Sequence, residues 1–379
     1  MNSALPFPTT TSRLKPQNKT GPFSRLAGKT ASKRFSPVFQ SARLIKKRHA
    51  LKSEYEKNTK GMYKHMLGLL NAMPGAIAQG MIWGIMAIGV YITFRILDFA
   101  DLTVDGSLCT GGAVCAMLVA AGVNVWLAML VAVIAGMCAG LVTGILHTFM
   151  GIPPILAGIL TQLMLWSVNL KIMGKANQTV NARSVYVLAT PLKRVETIVT
   201  LLLFCAVIIA ILYWFFGTEL GSGIRATGCN QSMSRAQGIN TESNKILALV
   251  ISNGLVALSG ALLAQYLGQA DINMGRGAIV IGLAAVIIGE AIMSHISRNF
   301  AAKLTGVVCG GIVYYIVYQT VIYIGLDTDL LKMLSALVVA IFLAVPYWKK
   351  TYFAGNSAKK PVDSGKAGKN GQKEEQAHV

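Results

Sequence analysis

GTELGSGIRATGCNQSMSRAQGINTESNK, residues 217–245, lies between two apolar runs, 196–216 and 246–266, each long enough to cross a bilayer. Backbone this polar must sit in water, because hydrocarbon offers its peptide groups no partners. The stretch carries Arg225, Arg235 and Lys245, and its glycines at 221, 223, 228 and 238 interrupt what would otherwise be a short helix. Glycine at such spacing marks a defined shape more than a slack tether. In an otherwise oily chain this loop is the first candidate for a docking surface.

Composition fixes the class around it. Of 379 residues, 54% are hydrophobic and 13% charged, against roughly 25% charged in a soluble domain. The chain reads as an all-α integral membrane protein. The net charge of +20 is concentrated at the front: residues 1–61 hold 14 Lys/Arg against Glu54 and Glu56. That arm has no interleaved aromatic pattern, so a nucleic-acid partner is not expected. Three readings fit it: a disordered basic extension, a transit peptide, or residues upstream of a true start at Met62, so that the arm is absent from the mature protein. Topology favours the third. Residues 62–350 form the expected transmembrane domain and 351–379 a disordered tail. Gly28-Lys29-Thr30 resembles the end of a P-loop, but Phe23 stands where its first glycine belongs. The six cysteines show no C-x-x-C spacing and the histidines no H-x-x-x-H pair, so neither a metal site nor a disulfide framework is expected.

Nine membrane segments are expected, at about 73–94, 106–121, 126–147, 154–173, 196–216, 246–266, 276–294, 303–325 and 329–348. Several fall short of the roughly 20 residues of a full span and are rich in glycine, as in GGAVCAMLVAAG and AGMCAGLVTG. Small residues at that spacing let helices pack closely in lipid. Two acid-bearing linkers look alike: ADLTVDG at 100–106 after the first span, and ADINMG at 270–275 after the sixth. With nine spans the two halves run in opposite directions, the signature of an inverted repeat with its pathway near broken helices. Placing the 217–245 loop in the cytoplasm puts the N-terminus outside. The loop cations then divide eight against eight between the two sides, so the positive-inside rule does not choose.

Charges at membrane depth are costly and point to function. Asp98, Asp101 and Asp105 cluster around the first helix break, with Arg95 one turn earlier as the expected partner of Asp98. The polar groups Asp101, Thr103, Asp105 and Ser107, with Asp271 in the second linker, either line a pathway or fix a bend. Asp105 or Ser107 can cap the helix that follows. Glu290 is expected to meet Arg298 or water at the membrane face. No nucleophile–base set or paired carboxylate suggests an enzyme.

These motifs carry a resemblance. LDFADLTVDGSLCTGGAV (97–114) is similar to the helix-break motif of permease subunits of bacterial ABC importers, in the branched-chain amino acid and ribose permease superfamily. GSGIRATGCNQSMSRAQGIN (221–240) resembles that family's cytoplasmic loop through Arg225, Ala226, Thr227, Gly228 and Asn230, then Arg235, Ala236, Gly238 and Ile239. Asp105 replaces the glycine usual in the first motif, which makes the sugar-specific form a poorer fit. Glu290 departs from the later A-x-x-x-V-x-x-G-G motif and inherits no role. Within the superfamily the wording is closest to tryptophan/tyrosine import permeases. The resemblance implies a multi-pass permease of the cytoplasmic membrane with no catalysis or cofactor of its own. It also implies that ATP is bound by a cytoplasmic ABC ATPase docked on the loop, that an extracytoplasmic substrate-binding protein delivers a small solute such as an amino acid, and that a second permease copy completes the assembly within membrane lipid.

Two other classes compete with it. One is an ion-coupled secondary transporter using Asp101, Asp105, Asp271 and Glu290. The other is a membrane scaffold whose loop merely recruits a partner. A neighbouring ATPase gene separates the first reading from both.

Overall fold

The computed structural model describes residues 68, 71–180, 187–293 and 299–323, with single positions 333, 336, 337, 340, 341 and 344 beyond them. The basic arm, the C-terminal tail, Arg298 and most of the ninth expected segment lie outside the described residues.

Eight of the expected segments are helices. They are α1 (Asn71–Ile96), α2 (Val104–Ala120), α3 (Val125–Thr148), α4 (Pro154–Met173), α5 (Arg194–Gly217), α8 (Thr241–Leu267), α9 (Ala278–Met293) and α10 (Phe300–Tyr323). Six are long and apolar enough to cross a membrane; α2 and α9, with 17 and 16 residues, are not. At 1.5 Å per residue these two reach about 25 Å, short of a core about 30 Å thick. The loop between α5 and α8 folds as two helices, α6 (Glu219–Cys229) and α7 (Gln231–Ala236). The all-α expectation needs one correction. Strand β1 (Asn177–Thr179) pairs antiparallel with β2 (Gln269–Asp271), joining the chain after α4 to the chain after α8.

Local chemistry sets the ends. The last turn of α1, Ile92–Ile96, is π-helical, and Leu97 N–H still reaches the Ile92 carbonyl at 3.0 Å. Asp98 then takes φ 56°, a left-handed conformation that Asp tolerates better than most residues. This breaks the helix before the 100–106 motif begins. The Asn240 carboxamide oxygen accepts the N–H groups of Glu242 and Ser243 at 3.2 and 3.1 Å and so starts α8, while Pro154 opens α4 at a position where no N–H is needed.

Helices α1 and α8 form the centre. Ile82, Ile85, Met86 and Ile88 of α1 are fully buried, whereas Leu202, Leu203 and Trp214 of α5 face outward. Helix α8 also packs on α2 and α3. A Cβ on Gly111 would run into the Ala257 carbonyl, and one on Gly260 into the Leu108 carbonyl. The glycine-rich runs therefore serve close backbone approach.

These contacts orient the chain. The end of α1, the end of α3 and the start of α8 lie on the side of α6, where Gly228 meets Ile96 and Gly144 meets Ile246. The ends of α4 and α8 lie on the opposite side with the β-ladder, as does the start of α1, whose Asn71 carbonyl accepts from Arg194 at 2.9 Å. Helix α2 runs beside α8 toward the ladder side, from Ser107 against Asn253 to Cys115 against Gln265. Helix α9 runs the other way, from beside Asp105 to Glu290 at the end of α1. Arg276 lies in the short stretch before α9 that packs against the start of α2, between Gly275 at the Asp105 carbonyl and Gly277, whose N–H bonds the Asp105 carboxylate.

Candidate functional site

Two polar regions stand out: the α6–α7 loop on one face, and the meeting point of the two helix breaks inside the bundle.

The loop is built as a braced outer surface. Thr218 starts α6, its hydroxyl accepting Gly221 N–H at 3.4 Å, and Asn230 starts α7 by accepting Met233 N–H at 3.0 Å. The inner face of α6 is tied to the bundle. Thr227 is fully buried and its hydroxyl accepts from the Asn244 side chain of α8 at 3.2 Å. Gly228 lies against the Ile96 carbonyl with no space for a Cβ. Arg225 donates to the Phe216 carbonyl at 2.8 Å, and Arg235 to the Thr241 hydroxyl at 2.9 Å, while both remain exposed to solvent. Gly238 ends α7 at φ 78°. The nine loop residues picked out by sequence thus divide by role. Thr227 and Gly228 hold the loop down, Ala226 and Ile239 are half-buried, and Arg225, Asn230, Arg235, Ala236 and Gly238 face out. Met233 is also 48% exposed there. It escaped the motif reading because a lone methionine in a polar run carries no spacing signal.

Inside the bundle, the break after α1 leads to a buried network. Asp101 accepts Thr103 N–H at 2.9 Å with one carboxylate oxygen and the Asn253 amide of α8 at 2.8 Å with the other. Asn253 in turn accepts from Ser107 at 2.6 Å. Thr103, Thr143 and Thr161 join α2, α3 and α4 in a hydroxyl chain at 2.7 and 2.9 Å. Asp101, Thr103 and Ser107 are therefore buried with their polar groups satisfied, as a fixed bend requires. Asn253 is the residue the sequence reading missed. An amide halfway along an apolar span was its available signal.

Asp105 behaves differently from the expected cap. Neither it nor Ser107 caps α2, whose N-terminal residue Thr103 makes no side-chain cap. Its two carboxylate oxygens instead accept Gly277 and Ile279 N–H at 2.9 Å each, so Asp105 caps α9, some 170 residues away. Cys109, one turn on, accepts Gly275 N–H at 3.1 Å and donates to the Ile272 carbonyl at 3.3 Å. The starts of α2 and α9 are thereby locked together. The Asp271 carboxylate is not part of that lock; it accepts Asn273 N–H at 2.7 Å and shapes the turn after β2, while the Asp271 carbonyl lies 3.9 Å from the Cys109 thiol.

The predicted charge pairs also move. Arg95 bonds Glu290 at 2.8 Å and does not pair with Asp98. The left-handed turn at Asp98 removes it from the helical spacing that such a pair needs. Among the described residues no group of three His, Cys, Asp or Glu side chains has a metal-binding arrangement.

The chain is similar in sequence to known transport permeases. Residues 73–345 match the family described as branched-chain amino acid transport system / permease component. The tyrosine transport system permease protein of Clostridioides difficile is 40% identical over 279 residues, covering 74% of this chain and 91% of that protein. An uncharacterized protein of Rickettsia prowazekii is 36% identical, covering 73% of this chain and 98% of its own. The fructose import permease protein of Bifidobacterium longum is 25% identical, covering 81% of this chain and 84% of that protein.

Proposed function

The chain belongs to the branched-chain amino acid transport system / permease component family, as a multi-pass transport permease of the cytoplasmic membrane and not an enzyme, and from that premise we propose that it imports an amino acid, aromatic by preference, at the expense of ATP bound by a separate cytoplasmic ATPase. An extracytoplasmic binding protein delivers the solute, and two copies of the chain form the transmembrane part. The amino-acid assignment draws on the tyrosine permease of C. difficile, which matches far more closely than the fructose permease does.

One observation carries the coupling role. The α6–α7 loop is clamped to the bundle through Gly228 against Ile96 and Thr227 against Asn244, while Arg225, Met233 and Arg235 are presented outward. A push on that outer face passes directly to the end of α1 and the start of α8. Both lead into the Asp101–Asn253–Ser107 network. A rigid lever is what an ATPase needs to switch a permease between inward- and outward-facing states.

The two helix breaks are read as the cores of an inverted repeat, α1–α4 against α8–α10 with 329–348, within a transmembrane domain spanning 62–350. The opposite courses of α2 and α9 from one meeting point support that reading. The four carboxylates that an ion-coupled transporter would use are each engaged: Asp101 by Asn253, Asp105 by α9, Asp271 by Asn273 and Glu290 by Arg95.

Arg225→Glu reverses the charge on the outer face without touching the helix breaks. Reconstituted with its ATPase and binding protein, the variant is expected to insert normally and to lose ATP-driven uptake. Uptake at the wild-type rate would contradict the coupling role.

A further inference from the structure

Beside the point where α2 and α9 begin, a cavity of about 140 Å³ opens between Asp105, Cys109, Trp166, Asn169 and Arg276. Two of its walls are chemically unfinished. Asn169, on α4, is 1% exposed, yet neither its carboxamide nitrogen nor its oxygen has a hydrogen-bond partner. A buried amide left in that state costs free energy unless something completes it. Arg276 lies just before the N–H of Gly277 that Asp105 accepts, and its guanidinium is in no ion pair among the described residues. Arg276 is exposed at the rim of the cavity, so its guanidinium is open to an anionic partner. Asp105 is not that partner; its two oxygens hold the start of α9.

We propose that this cavity is a subsite for the main-chain end of an α-amino acid, in which Arg276 takes the carboxylate and Asn169 with the free lone pairs of Asp105 takes the ammonium. The match is one of charge pattern. A zwitterion brings one anionic and one cationic group a few ångströms apart, and the cavity offers one cation, one carboxylate and two amides, that of Gln162 and that of Asn169 with both ends open. Its size admits the main-chain end and a little more, about four to five waters' worth of space. A side chain must then extend past Trp166, whose indole gives a flat apolar wall for an aromatic ring. Asn169 and Trp166 are three residues apart and share a face of α4, so one helix face carries both contacts. The subsite rests on the amino-acid reading above and adds the residues that would enforce it.

The test uses the permease–ATPase complex in lipid vesicles without the binding protein, so that affinity is read from the permease alone. The probes are radiolabelled tyrosine, tyramine, which lacks the carboxylate, and ribose. Wild type is expected to bind tyrosine more tightly than tyramine. Arg276→Gln should weaken tyrosine about tenfold to a hundredfold, the range for a charge-assisted hydrogen bond, and leave tyramine unchanged. Arg276→Lys should restore part of the difference, and Asn169→Leu should weaken both ligands. Vesicle insertion and the basal ATPase rate report folding for every variant. Equal tyrosine binding by wild type and Arg276→Gln, or tyrosine uptake by the full system with no binding at the permease, overturns the subsite while leaving amino-acid import standing. Binding of ribose with no binding of tyrosine overturns both.

Discussion

A single amide near the middle of α8 holds together what the sequence shows as separate motifs. Asn253 lies about 18 Å from the start of its helix, and through it the Asp101 carboxylate and the Ser107 hydroxyl become one network. Replacing it by leucine leaves a buried carboxylate oxygen and a hydroxyl without their partner. Asn253→Leu is therefore expected to destabilise the protein by roughly 2 kcal/mol, seen as a lower unfolding temperature in detergent, with transport reduced in the same sample. An unchanged melting curve would show that the network is not structural. Asp101 and Ser107 were legible in the sequence because they sit in a recognisable run. Asn253 was not, because its partners lie 152 and 146 residues away. The same distance hid the Arg95–Glu290 pair, which spans 195 residues.

Among the elements, the apolar helices were legible to within a few residues, since bilayer thickness and hydropathy constrain them strongly. What their ends do was not legible. The π-helical turn closing α1, the β1–β2 ladder and the capping of α9 by Asp105 all depend on partners brought in by the tertiary fold. Even the loop, recognised as one docking element, resolves into two helices meeting at Asn230, with buried and exposed faces that the motif alone does not separate. That division makes a prediction. Gly228 touches Ile96 so closely that Gly228→Val must lift α6 from the end of α1. The ATPase is expected still to bind, while hydrolysis and uptake become uncoupled. Pull-down of the ATPase together with an ATPase-to-uptake ratio measures this, and a wild-type ratio would count against a lever.

For the whole molecule, the contacts divide the chain ends into two sides, with α6, α7 and the ends of α1, α3 and α5 on one and the β-ladder on the other. If the loop side is cytoplasmic, Cys229, exposed at the end of α6, reacts with a membrane-impermeant maleimide only in inside-out vesicles. Cys138, exposed on the apolar surface of α3, stays unlabelled in either orientation because lipid covers it. Labelling of Cys229 from outside would invert the topology and remove the loop from any cytoplasmic partner. Sidedness alone does not establish what drives transport. The most direct measurement is tyrosine accumulation by the reconstituted permease, ATPase and binding protein, with ATP supplied or withheld and ion gradients collapsed. ATP-driven import predicts accumulation that needs ATP and survives collapse of the gradients. Accumulation that follows an imposed ion gradient in the absence of ATP would contradict it.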